Sequence, residues 1–205
     1  MSNRFRRAPK MSDEELAHEF HPIWRDGTGE EAADALRCRM RARSQCFLPS
    51  LEQRGKVVEM MNRRFPAECD AIIKTAEAAL RGTFSPLGRD MLNLGDPKVI
   101  REHAHFVTLG QAYWLTNDNR FAEGFRDQVS AWIAANPAPL GIKWASGPEV
   151  AFRSIAWLWA TRMFVDSGRV TPDFFARLLK SLIEHGRHIE KSLSYHFSPN
   201  IHLTG

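Results

Sequence analysis

Tyr195, His196, Asn200 and His202 put a phenol, two imidazoles and an amide within eight positions near the end of the chain. These residue types suit one reaction, the removal of a proton beside a carboxylate. An amide such as Asn200 can hydrogen-bond the carboxylate and weaken its charge, while His202 or Tyr195 can carry protons. Ser198-Pro199-Asn200 reads as a loop turning into a helix, because proline disfavours helix at the residue before it and Asn is a strong cap. Two apart at a helix start, Asn200 and His202 diverge and need not touch. The same residues also have a plainer use, in which Asn200 only caps and His202 only packs.

A second constellation lies upstream. Glu149, Arg153 and Trp157 recur every fourth residue on one helix face, with Trp144 in the preceding loop. Two readings stay open. One is an ion pair at a helix start, contributing about 0.2–0.5 kcal/mol when exposed. The other is a polar stripe lining a cleft, where Arg153 meets a carboxylate or sulfate and an indole stacks on a sugar face. Glu102 and His105, three apart, can face one way, but two ligands are too few for a metal site and a structural hydrogen bond is the simpler role. His185 and His188, near the end of their helix, are expected to face solvent, where the helix dipole favours their charged form.

Composition narrows the classes. With 43% hydrophobic and 25% charged residues, the 205-residue chain has the make-up of an ordinary globular domain. Most of the net charge of +4 comes from the first 65 residues, where 13 Lys and Arg face 10 Asp and Glu. Arg37, Arg39, Arg41 and Arg43 are spaced by two and so spread around a helix; no nucleic-acid-binding module emerges. The three cysteines, Cys38, Cys46 and Cys69, show no metal-type spacing and no disulfide framework. Neither a metal nor another cofactor is expected. No window reaches the roughly 18–20 apolar residues of a membrane span, and no apolar run follows the basic N-terminus as in a secretory signal.

The elements that must position these residues are helices. A helix is expected over about 29–44, another over 66–80 starting at Pro66, and a third from Asp96-Pro97 to about Leu115. Asn117-Asp118 turns into a helix whose apolar face is Phe121, Phe125, Val129, Trp132 and Ile133; Asn136-Pro-Ala-Pro-Leu-Gly141 breaks it. The next runs from Pro148 to about Val165 and is apolar nearly all round, which predicts burial on every side. Thr171-Pro172-Asp173 starts the last, where Phe174, Phe175, Leu178, Leu179, Leu182 and Ile183 form an amphipathic stripe. The pattern predicts an all-α array of antiparallel helical hairpins over 29–205, behind an N-terminal extension over 1–28 that is partly disordered.

The chain from about residue 90 resembles the N-terminal domain of the heparinase II/III family of polysaccharide lyases. The resemblance is carried by Asp96-Pro-Lys-Val-Ile-Arg-Glu-His-Ala-His105, Leu109-Gly-Gln-Ala-Tyr-Trp-Leu-Thr116 and Trp132-Ile-Ala-Ala-Asn-Pro137. It continues through Gly141-Ile-Lys-Trp-Ala-Ser-Gly-Pro-Glu-Val-Ala-Phe-Arg153 and Ser198-Pro-Asn-Ile-His-Leu-Thr-Gly205. It implies part of an incomplete (α/α) toroid, whose cleft takes an acidic polysaccharide of glycosaminoglycan or alginate type. It also implies β-elimination beside a uronic acid, a following β-sandwich domain that this chain lacks, and a periplasmic location. Asn200 and His202 become the expected catalytic pair, with Trp144, Glu149, Arg153, Trp157, His105 and Tyr195 as substrate contacts. In the family an Asn directly precedes the closing histidine; here that position is Ile201. A tyrosine and a histidine lying further along such enzymes do much of the proton transfer, so this chain alone is expected to be inactive. A toroid that binds acidic glycans or acts as a scaffold without catalysis is the alternative.

Overall fold

In the computed structural model the described residues are 51–84, 92–93 and 103–192, with Asp34, Arg37, Cys38 and Met40 described singly on helical backbone. The expected extension over 1–28 and the closing segment with Tyr195, Asn200, Ile201 and His202 lie outside them.

Local chemistry sets the helix ends. A 3-10 turn, Leu51–Gln53, leads into α1, Arg54–Arg64. Helix α2, Pro66–Leu80, begins on its proline, which has no N–H to leave unpaired and a φ already helical. A two-residue antiparallel ladder joins β1, Thr83–Phe84, to β2, Leu92–Asn93. Helix α3, His105–Thr116, closes on Asn117 in the left-handed region (φ 57°), whose N–H donates to the Tyr113 carbonyl at 2.7 Å. Asp118 then caps α4, Asn119–Ala135, by accepting from the Arg120 N–H at 2.9 Å. After a 3-10 turn at Ile142–Trp144, Ser146 caps α5, Gly147–Phe164. Helix α6 spans Pro172–Ser192, with Thr171 Oγ1 accepting from the Phe174 N–H at 3.3 Å.

Helices α3 and α4 form one antiparallel hairpin and α5 and α6 the next; the two stack through α3 on α5 and α4 on α6. The shared core holds Phe106, Leu109, Phe121, Phe125, Trp132, Trp157, Phe164, Phe174, Phe175 and Leu178. Each such fully buried side chain contributes about 1.5–3 kcal/mol relative to exposure. Gly110 allows α3 and α5 to approach: a Cβ there would lie 2.6 Å from Met163 Sδ and 2.9 Å from its Cβ. One turn away, Trp114 Nε1 donates to the Met163 carbonyl at 2.9 Å, pinning the same contact. Arg54 ties α1 to the C-terminal end of α3, donating to the Tyr113 carbonyl at 2.8 Å and to Asn117 Oδ1 at 3.1 Å.

Two expectations are corrected. Helix α3 begins at His105, with His103 outside the helix and Ala104 in a turn, so no helix runs continuously from Pro97. The reason is tertiary: the His103 ring is drawn into the core as an acceptor for Trp157, 2.6 Å from its Nε1. Nor is α5 buried all round. Phe152, Ile155, Leu158 and Trp159 are 60%, 46%, 48% and 40% exposed. Among the described residues its neighbours are chiefly α3, α6 and the 3-10 turn, and the remaining face stays open.

Candidate functional site

The helical period of α5 carries Arg153 and Trp157 onto the face that meets α6, and there both side chains are fully buried. Arg153 Nε donates to His185 Nε2 at 2.8 Å, and its Nη1 donates to the Lys143 carbonyl at 3.2 Å. Its guanidinium carbon stands 4.3 Å from the Trp132 ring centre and 5.3 Å from that of Trp144, within cation–π range of both. Trp144 comes from the 3-10 turn, Trp132 from the last turn of α4, and His185 from α6. Glu149 sits one turn before Arg153, half-buried. Of the expected contacts, Trp144, Glu149, Arg153 and Trp157 are thus assembled in one place.

Donor chemistry settles both buried imidazoles. A guanidinium nitrogen only donates, so His185 Nε2 is the acceptor and its Nδ1–H donates to the Ser181 carbonyl at 2.6 Å. An indole N–H likewise only donates, so His103 Nδ1 is the acceptor and that ring, nearly parallel to Trp157 with ring centres 5.6 Å apart, is neutral with its proton on Nε2. Burial, and then the neighbouring Arg153 charge, push the His185 pKa down to about 3. Burial also lowers Arg153 to about 10, against the attraction of Glu149; at neutral pH it keeps its charge.

His105 stands apart from this cluster. Its Nε2 pairs with Gln128 Oε1 at 3.0 Å, and its ring packs on Phe84 and Phe106 at 4.6 and 4.2 Å. Burial outweighs the Gln128 hydrogen bond and lowers its pKa to about 4. Glu102, Tyr195, Asn200 and His202 fall outside the described residues. Among the described residues, no group of three or more His, Cys, Asp or Glu is placed to hold a metal ion, and no helix is long and apolar enough to cross a membrane.

The expectation that His185 faces solvent is overturned: it is fully buried and is the partner that fixes Arg153. His188 is half-buried, edge-on to Trp144 at 5.4 Å. A signal for His185 was present in the spacing. Phe174, Leu178, Ser181 and His185 recur at three or four residues and are all buried, so the apolar stripe continues into polar residues without changing face. His103 and the Lys143 carbonyl had no such signal, because a turn and a backbone atom follow no side-chain period.

Comparison with known proteins follows the same stretch of chain. Residues 98–204 match the family model described as Heparinase II/III N-terminus. Among solved structures, heparan sulfate lyase HepC from Pedobacter heparinus superposes with a TM-score of 0.64 at 20% identity, covering 91% of this chain and 31% of that one. A heparinase III, the BT4657 gene product with methylated lysines, gives 0.62 at 20% identity over 87% of this chain and 32% of that one. The chain therefore spans about a third of the length of either lyase. No curated protein matches it.

Proposed function

The chain belongs to the heparinase II/III family, through the N-terminal part of that family, and on this premise we propose that it forms the substrate-cleft portion of a lyase acting on a uronic-acid-containing polysaccharide. The observation that carries the reading is the family match, which runs through the site helices and reaches the closing motif with Asn200 and His202. The solved lyases of the same fold, one described as a heparan sulfate lyase, favour a glycosaminoglycan over an alginate-type substrate.

In β-elimination the C5 proton beside a uronate carboxylate is taken by a base. Its electron pair becomes the C4–C5 double bond, and the glycosidic oxygen leaves with a proton from an acid. The carbanion-like transition state forms only when the carboxylate charge is neutralised. Asn200 neutralises that carboxylate or supports the group that does, and His202 moves or orients the proton. Arg153 and Trp144 contact the anionic sugar, with Glu149, Trp157, His105 and Tyr195 shaping the cleft around it. Because Arg153 and Trp157 are fully buried and Trp144 is 2% exposed, such contact requires local opening at this site.

The test is an absorbance assay for unsaturated uronate with heparan, chondroitin and alginate substrates, using the full-length protein. Product is expected from a glycosaminoglycan, with a loss of about 100-fold or more in His202→Ala, from the lower bound of the range for removing an acid–base group upward. A panel without product, or full activity in that variant, defeats the lyase reading. Ile201, standing where the family has an amide, favours a second reading of a glycan-binding or scaffolding toroid. Saturable glycan binding without product selects it.

A further inference from the structure

The Arg153 guanidinium is held firmly at one edge and loosely at another. Nε is fixed by His185, and the plane lies over Trp132. At the other edge Nη1 has a backbone acceptor, the Lys143 carbonyl, and the buried Nη2 has no hydrogen-bond partner among the described residues. A buried donor without an acceptor is costly, and more so on a cation. The Lys143 carbonyl belongs to the short 3-10 turn, where Leu140, Gly141, Ile142 and Ala145 are all exposed. Gly141 holds φ at 89°, a conformation open to glycine and strained for other residues. That turn grips the molecule through Trp144, whose ring packs 4.6 Å from His185 and whose Nε1 makes a long 3.3 Å hydrogen bond to the Asn136 carbonyl.

We propose that residues 140–146 form a lid and that Arg153 beneath it is an oxyanion site, opened when Trp144 lifts away together with Lys143. Release of the Lys143 carbonyl frees Nη1 beside the unpartnered Nη2, and the two make a bidentate fork for a carboxylate or a sulfate group. His185 and Trp132 are on α6 and α4 and stay in place, so the fork is oriented before the ligand arrives. Glu149 on α5 faces the same guanidinium and opposes the incoming anion; among the described residues the other charged or titratable groups around the site are His185 and His188 on α6, the latter against Trp144, and Lys143 on the lid. This inference rests on the acidic-glycan reading above and names how the anionic group of that glycan enters.

The full 205-residue chain is titrated with sodium sulfate and with sodium glucuronate, against sodium chloride of equal ionic strength. Tryptophan fluorescence reports binding, and amide hydrogen exchange reports the lid. Saturable binding is expected, with faster exchange at residues 142–145 when the site is full. Trp144→Ala removes the plug and should bind sulfate, which has no ring face for the indole to stack on, about tenfold tighter, because less free energy is spent on opening. Adding Arg153→Lys should abolish that gain, since an ammonium offers no planar fork. A response to only one of the two anions identifies which group of the glycan is read. No saturable response to either anion, unchanged exchange at 142–145 at saturation, or retained tight binding in the double variant would overturn the lid. If Trp144→Ala loses its circular dichroism signal, the wild-type exchange result decides alone. Anion capture by this chain, with no unsaturated product from the full-length protein, keeps the lid and sinks the lyase; product from a full-length protein whose lid does not move does the reverse.

Discussion

At the scale of single residues, two imidazoles, His185 buried and His105 half-buried, connect chemistry to stability. His185 and His105 are held at about 3 and 4, below the ordinary value of 6.5, because burial disfavours their charged forms. Between those values and 6.5 the unfolded chain binds more protons than the folded one, so stability rises with pH across that range. The contribution is fully present above about pH 6.5 and is lost as pH falls toward 4 for His105 and toward 3 for His185. Urea midpoints measured at pH 7, 5 and 4 should therefore fall steadily. In His185→Gln, which still offers an acceptor to Arg153, the fall should be shallower, with an initial cost of about 1–3 kcal/mol at pH 7 from a less well-made buried hydrogen bond. An equally steep fall in that variant would show that other groups carry the acid sensitivity.

At the scale of elements, caps and close approaches make separable contributions. Asp118 accepts from the Arg120 N–H at 2.9 Å, whereas Ser146 accepts from the Glu149 N–H at a long 3.5 Å. Asp118→Ala should cost about 1 kcal/mol in chemical denaturation, and Ser146→Ala measurably less. Gly110→Ala gains helix propensity but drives a methyl into Met163, so a net loss of about 1–3 kcal/mol is expected. Combining it with Met163→Ala should recover part of that loss, and a double-mutant cycle reads the coupling directly. Additive losses would place the cost elsewhere than at the α3–α5 contact. The start of α2 at Pro66 and the cap at Asp118 were legible in the sequence, because both are properties of neighbouring residues. The start of α3 was not, because it depends on Trp157, 54 residues away from His103 in the chain.

At the scale of the molecule, hairpin stacking leaves α5 with an open apolar face. That face and α3 border a groove of about 540 Å³ lined by Val107, Phe152, Ile155 and Trp159 among others. Exposed apolar surface of this kind drives association. Sedimentation of the isolated chain should show concentration-dependent self-association, reduced in a double variant Ile155→Glu, Trp159→Glu; a monomer at all concentrations would contradict this. At this scale too, the chain spans about a third of the solved lyases, and on its own it is expected to release no unsaturated uronate. Turnover by the isolated chain would show that its own residues complete the acid–base machinery.

The sequence by itself determined the helical class, the hairpin order, most helix ends and the shared helix face of Glu149, Arg153 and Trp157, because these follow from periodicity and local capping. It marked the apolar faces of the helices but not which of them would be covered. Tertiary structure alone decided that Arg153 turns to His185 and the Lys143 carbonyl, that His103 leaves its helix for Trp157, and that the outer face of α5 stays open. Those outcomes depend on which helices meet. A period of 3.6 residues tells a helix which side is apolar and carries no information about its neighbour.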